Sequence, residues 1–201
     1  MPPANDPQSK AYWKSLVSDK ELTLTYHRRP LRFQVSQELF SSYQIDAGTR
    51  LLLKIAASNE INKVLDIGCG YGPLGLAIAK SIPAGHCVMV DKDFVAVDYA
   101  RKNSSLNHIH NAEVLLSNGL DQVPPRSFTL AVTNLPAKVS KEHYYLFFHD
   151  IKERLQPGGR FYVVVISGLR QFIARSFTEV FGNHKKVKQG KVYTVAMAIK
   201  Q

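Results

Sequence analysis

Asp66-Ile67-Gly68-Cys69-Gly70-Tyr71-Gly72-Pro73-Leu74-Gly75 decides the fold of this chain. The apolar run KVLDI (63–67) leads into it as a strand, and Pro73 to Ile82 follows as a helix with proline in its first turn. A strand, a bend of alternating glycines and a helix form a junction where a ligand can approach bare backbone. Two details narrow that ligand. A dinucleotide fingerprint G-x-G-x-x-G starting at Gly68 needs glycine at position 73, where the chain has Pro73. The bend is also led by a carboxylate, Asp66, which repels a pyrophosphate and suits a ligand carrying an ammonium and a sulfonium. Asp91 closes the next apolar run, HCVMVD (86–91), and follows Gly70 by roughly the 20 residues expected of a ribose-binding acid. A carboxylate there can accept from both ribose hydroxyls. A turn whose glycines serve geometry alone would leave both acids unexplained.

Outward from this junction the chain alternates strand and helix. Phe94 to Leu106 is the second helix and AEVLL (112–116) the third strand. FTLAVTN (128–134) is the fourth strand, His143 to Leu155 a helix, and Pro157-Gly158-Gly159 a turn before the buried strand RFYVVVIS (160–167). Phe172 to Phe181 is helical, and HKKVK and KVYTVAMAI flank Gln189-Gly190 as a hairpin. Upstream, LTLTY (22–26) and LRFQV (31–35) alternate like strands around His27-Arg28-Arg29-Pro30, and Asp46 can cap a helix over Thr49 to Ser58. This order predicts a parallel α/β sheet with helices on both faces, closed by an antiparallel last strand.

In such a sheet, ligands sit beyond the carboxyl ends of the strands beside the switch point. The fourth strand ends there in Asn134-Leu135-Pro136-Ala137-Lys138, opposite the glycine bend. An exocyclic amine is a poor nucleophile because its lone pair is delocalised into the ring. An Asn side-chain oxygen and a neighbouring carbonyl can accept its two N–H bonds and turn that lone pair outward. Pro136 would stiffen the loop that presents them. Proximity and orientation would supply most of the acceleration, and no strong general base is needed.

The 201 residues suffice for one α/β domain, and 45% hydrophobic with 21% charged residues is ordinary for a folded protein. No apolar run approaches the roughly 18 residues of a membrane span, and the N-terminus has no apolar signal core. Cys69 and Cys87 read as reduced, buried thiols, which suits the cytoplasm. The net charge is +10, and residues 168–201 carry seven basic and one acidic side chain. Lys185, Lys186, Lys188 and Lys191 are the densest part. They suit a polyanion such as nucleic acid, and equally a solvated, edge-protecting cluster. His27, Arg28, Arg29 and Arg32 offer phosphate contacts or a plain basic turn. His108 and His110 lack companions for a metal site, so no metal is expected. The run Tyr144-Tyr145-Leu146-Phe147-Phe148 reads as core.

The combined motifs resemble the small-domain class I S-adenosylmethionine-dependent methyltransferases, and are similar to bacterial rRNA guanine-N2 methyltransferases. The resemblance covers roughly 27–200: Phe40-Ser41, Ile45-Asp46-Ala47-Gly48-Thr49-Arg50-Leu51-Leu52, VLDIGCGYGPLG (64–75), VMVDKD (88–93), Ala100-Arg101-Lys102-Asn103, Ser117-Asn118-Gly119, Asn134-Leu135-Pro136 and LQPGGRFYVV (155–164). It implies a Rossmann-like, seven-stranded, mostly parallel sheet of order 3-2-1-4-5-7-6 with the last strand antiparallel. Residues 27–201 would form the methyltransferase domain, behind a partly disordered extension, 1–26. Cofactor contacts would fall on Asp66, Gly68, Gly70, Tyr71, Gly72, Asp91, Lys92, Asn118, Gly119 and Asn134. Catalysis would fall on Asn134, Leu135 and Pro136.

The chain departs from the family at two points. Asn118 stands where aspartate is usual, and its amide oxygen can still accept from an adenine amine. Ala137 stands where an aromatic stacks on the target base. Either Tyr71, Tyr144, Tyr145, Tyr12 or Trp13 replaces that ring, or the acceptor is not a base. The leading expectation is a cytoplasmic methyltransferase acting on an exocyclic amine of RNA, with rRNA or a ribosomal subunit as partner and rRNA guanine N2 as first target. The rivals are a methyltransferase for a protein amide or small molecule, and a non-catalytic protein that binds S-adenosylmethionine or RNA.

Overall fold

Side-chain alternation along the strands assigns the helices to two faces. In the computed structural model, which describes residues 20–56, 62–123, 128–135 and 141–201, seven strands form one sheet. Numbered from the N-terminus, these are β3 (Lys63–Ile67), β4 (His86–Asp91), β5 (Ala112–Leu116), β6 (Phe128–Asn134), β7 (Leu155–Ile166), β8 (Lys185–Gln189) and β9 (Tyr193–Ile199). Their spatial order is β5-β4-β3-β6-β7-β9-β8, with β9 antiparallel to both neighbours. Counted from β3, this is the expected 3-2-1-4-5-7-6.

Val64, Cys87, Met89, Leu130, Val132 and Val164 point to one core, and Leu65, Val88, Val90, Ala131, Val163 and Val165 to the other. A period of two buries both faces of each central strand. The first face packs under α1 (Ala47–Ala56), α2 (Pro73–Ser81) and α3 (Phe94–Leu106). The second packs under α4 (Lys141–Arg154) and α5 (Arg170–Phe181). There Tyr144, Phe148, Phe161, Phe177 and Phe181 form a continuous aromatic cluster with ring centroids 5.2–6.1 Å apart.

A separate hairpin, β1 (Lys20–Tyr26) and β2 (Arg29–Val35), buries Leu24, Leu31, Phe33 and Val35 in the first core. Its strands are joined by two residues only, His27 and Arg28, both at positive φ, the geometry that matches strand twist. Arg29 and Pro30 therefore pair within β2 rather than turn. Asn103 of α3 and Asn107, the residue that caps its C-terminus, bind the edge of this hairpin in place of another strand. Asn103 accepts from Gln34 N–H at 2.7 Å and donates to Gln34 O, while Asn107 accepts from Arg32 N–H and donates to Arg32 O.

Pro157-Gly158-Gly159 does not separate helix from strand. β7 starts at Leu155 and runs through it, with a register shift against β6. Gly158 takes φ +76 and donates to Lys200 O, and Lys200 N–H donates to Gly159 O, so strand pairing absorbs the extra residues as a bulge.

Candidate cofactor and acceptor site

β3 has β4 on one side and β6 on the other, so the chain reverses its winding direction at β3. The glycine bend caps that point. Gly68 and Cys69 both donate backbone N–H bonds to Val90 O, at 2.8 and 3.0 Å, folding the bend over the end of β4. Gly68, Gly70 and Gly72 all have positive φ, a conformation that costs a side-chain-bearing residue roughly 1–2 kcal/mol. A Cβ added at Gly68 or Gly70 would meet no atom within 4 Å, so both present backbone to open space. Gly72 precedes α2, whose N-terminal dipole faces the bend.

Asp66 lies on the same strand face as Val64 but meets α2 instead of apolar neighbours. Its Oδ2 accepts from Gly75 N–H at 2.7 Å. A Cβ at Gly75 would stand 2.7 Å from that oxygen, which explains a glycine inside a helix. Burial pushes the Asp66 carboxyl up to about 7, against the lowering effect of the Gly75 hydrogen bond and with a further rise from Asp91. The buried acid therefore titrates near neutrality and gains from a cation brought beside it.

Asp91 accepts from Gly70 N–H through Oδ2 and from Asp93 N–H through Oδ1, at 2.8 and 3.0 Å. Each oxygen keeps acceptor capacity toward the bend. Lys92 is exposed beside it. Ser117 N–H donates to Asp91 O, and Ser117 Oγ accepts from Gln122 N–H, fixing the next loop. Asn118 and Gly119 are exposed there, with Gly119 at φ +58 and open space where a Cβ would be. Two acids and open backbone at Gly68, Gly70 and Gly119 fit a nucleoside that bears cationic groups, and the helix N-terminus fits a carboxylate on the same ligand.

Asn134 ends β6, and its amide is held by residues the spacing of the motifs had not singled out as site residues. Nδ2 donates to Asp46 Oδ2 at 2.8 Å and to Thr49 Oγ1 at 3.1 Å. Asp46 in turn caps α1 through Thr49 N–H and accepts from Tyr193 OH at 2.9 Å. With the amide nitrogen donating to these two acceptors, Asn134 Oδ1 lies on the other side of the group and can act only as an acceptor. Gly48 was the available signal. It sits in the first turn of α1, where nothing local requires glycine, and a Cβ would lie 2.8 Å from Asp46 Oδ2 and 3.1 Å from the Tyr193 ring. Leu135 is buried, and its N–H donates to Val164 O. Pro136, Ala137 and Lys138 lie outside the described residues, as do Tyr12 and Trp13.

The two described alternatives nearest the core cannot replace the missing ring. Tyr71 is buried, edge-on to Phe33 at 6.0 Å, and its OH donates to Ser41 O. Tyr144 is buried between Phe148 and Phe172. Tyr145 packs its edge on Phe172. Cys69 and Cys87 are free and buried, and burial raises both thiols well above their ordinary range. Among the described residues, no three His, Cys, Asp or Glu side chains gather as a metal site, and no helix is long and apolar enough to cross a membrane.

Comparison with known proteins accords with this geometry. The chain is 26% identical over 194 residues to the ribosomal RNA large subunit methyltransferase G of Psychromonas ingrahamii, covering 92% of this chain and 50% of that protein. It is 28% identical to YbxB of Bacillus subtilis, covering 78% and 75% respectively. A 16S rRNA N2 methyltransferase (RsmC) of T. thermophilus, solved with AdoMet and guanosine, superposes with a TM-score of 0.82 at 25% identity, over 91% of this chain and 51% of that one. The chain thus spans about half the length of the named rRNA methyltransferases it matches. S-adenosylmethionine is the cofactor that the acids and glycines of the bend fit. Residues 30–197 match the methyltransferase small domain, and the chain belongs to that family.

Proposed function

We propose that this chain transfers a methyl group from S-adenosylmethionine to an exocyclic amine of RNA, with guanine N2 of rRNA as the first target. The observation that carries the reading is the locked amide of Asn134. Asp46 and Thr49 occupy its two N–H bonds, so Oδ1 is committed to accepting. In this reading Oδ1 and the Leu135 carbonyl accept the two N–H bonds of the amine. Those bonds orient its lone pair and stabilise positive charge developing on nitrogen. In the sequence Pro136 follows Leu135 directly, and a proline there restricts the backbone of the residue before it. Bound S-adenosylmethionine supplies an already activated methyl group. Asp66 and Asp91, with Gly68, Gly70, Gly72, Asn118 and Gly119, would hold its charged and sugar portions, beside Tyr71 and Lys92.

RNA as acceptor is supported by the names of the relatives and by the charge of the last strands. Lys188 and Lys191 are exposed at the β8–β9 turn, and Tyr193 ties that turn to Asp46. The reduced thiols and the RNA substrate suit the cytoplasm. The test is incubation with radiolabelled cofactor and, separately, total RNA, ribosomal subunits and protein from a methylation-deficient extract. Label is expected in RNA or subunits and not with Asn134→Ala. Label confined to protein would refute the RNA reading, and undiminished transfer by Asn134→Ala would refute the catalytic assignment.

A further inference from the structure

Ala137 leaves the catalytic loop without a ring, and Tyr71 and Tyr144 are buried. Two large aromatics nevertheless stand in solvent on one short loop beside the acceptor site. Phe40 is 78% and Tyr43 74% exposed, and they are two of three such exposed rings among the described residues. Their loop is built to hold them there. Leu39, Ser42 and Ile45 are buried at every third position, so positions 40 and 43 are turned outward. Ser42 Oγ donates to Gln37 O, and Ser41 Oγ donates to Gln44 O at 2.8 Å. Ser41 takes φ +61, a conformation a serine rarely holds without a constraint.

The loop is tied to the site at two points. Tyr71 OH donates to Ser41 O, binding the loop to the glycine bend. Asp46, three residues beyond Tyr43, holds Asn134. Lys20 Nζ lies 3.7 Å from the centre of the Tyr43 ring, and Arg50 is exposed one turn along α1. Rings for bases interleaved with cations for phosphates are the composition of a single-stranded nucleic-acid surface. Two exposed aromatics on one pinned loop also make an apolar surface of the kind that marks a binding site.

We propose that Phe40 and Tyr43 form the stacking platform for the nucleobase that carries the acceptor amine, in place of the aromatic absent at position 137. The platform rests on the RNA reading above, and it assigns a base, rather than a protein side chain, as the group seated against Asn134. Lys20 and Arg50 would take the flanking phosphates.

The test measures affinity for a mixed-sequence 12-nucleotide single-stranded RNA and for an abasic strand of the same length, with S-adenosylmethionine affinity and thermal stability in parallel. The native protein is expected to prefer the base-bearing strand. Phe40→Ala and Tyr43→Ala are each expected to weaken it roughly 5- to 150-fold, the ~1–3 kcal/mol of a base–aromatic stack. Binding to the abasic strand and to cofactor should stay unchanged, and Phe40→Tyr and Tyr43→Phe should restore most of the loss. Steady-state methylation should show the loss in KM. Equal affinity of both alanine variants and native protein for the base-bearing strand, while the native protein still methylates RNA, would overturn the platform and leave the RNA reading standing. A native protein that binds neither strand and labels only protein would overturn both.

Discussion

Asp46 Oδ2 accepts a hydrogen bond from Asn134 Nδ2 at 2.8 Å across 88 positions of sequence. The same carboxylate caps α1 and receives the Tyr193 hydroxyl, so one acid fixes a helix start, a strand end and the last hairpin. Asp46→Ala frees the Asn134 amide to rotate, and kcat is expected to fall about 10- to 100-fold, the scale of a misplaced acceptor. Cofactor affinity should hardly change. The variant also loses a helix cap, about 1 kcal/mol, which unfolding curves will register. Asp46→Asn keeps an oxygen for the cap, so it should recover stability and part of the rate.

The glycines of the bend separate fold from binding. Gly75→Ala puts a Cβ 2.7 Å from Asp66 Oδ2 and 2.8 Å from Met89 Cγ, both buried. It is expected to cost about 1–3 kcal/mol of stability, seen as a lowered Tm. Gly68→Ala meets no atom within 4 Å but must hold φ +70 and would project into the open space proposed for the cofactor. Its melting point should change less, while cofactor affinity measured by calorimetry falls by about tenfold or more, ~1.4 kcal/mol.

Asp66 gives a pH signature. Its folded carboxyl titrates at about 7, above its ordinary 3.8, because burial disfavours the charge. The folded state therefore binds more protons than the unfolded state between these values. This acid's contribution to stability falls as pH rises from about 4 to 7 and is level above, with a limiting slope of about 1.4 kcal/mol per pH unit. Asp66→Asn keeps an acceptor for Gly75 N–H and removes the titration. Chemical denaturation of both proteins from pH 4 to 8 should show the native curve descending relative to the variant over that window. Cofactor affinity of the native protein should rise with pH through about 7, as the charged acid meets a cationic ligand, and the variant should lose that rise.

The terminal hairpin predicts salt dependence. Lys188 and Lys191 are exposed at its turn. If each meets one phosphate, Lys188→Ala and Lys191→Ala should each flatten the plot of log affinity for RNA against log salt by about 0.7–0.9. Cofactor affinity should be untouched in both.

The bend, its flanking strand and helix, and the second acid were legible in the sequence because they are local: spacing and residue type carry them. So was a parallel sheet with helices on both faces, which alternating strands and helices imply, whereas the strand order came only with the family resemblance. Pro157-Gly158-Gly159 misled because its turn chemistry is local, whereas the Lys200 that pairs with Gly158 and makes it a bulge lies 42 positions away (200 − 158). Asp46 was visible as a cap but not as the partner of Asn134, because no spacing rule links residues brought together by β6 and α1. Tyr71 shows the same limit. It stood among the candidates for the missing ring, and the fold turns it into the core against Phe33. Phe40 was visible only as part of a resemblance, and its exposure comes from buried neighbours on either side.

The central claim is that the acids and glycines around Asp66 and Asp91 hold S-adenosylmethionine. Isothermal titration of the purified, folded chain with that compound and with its demethylated product tests it most directly. One saturable site is predicted for each, competing with the other and weakened at least about tenfold, ~1.4 kcal/mol, by Asp91→Ala. Folded native protein that gives neither heat nor competition with either compound would contradict the account.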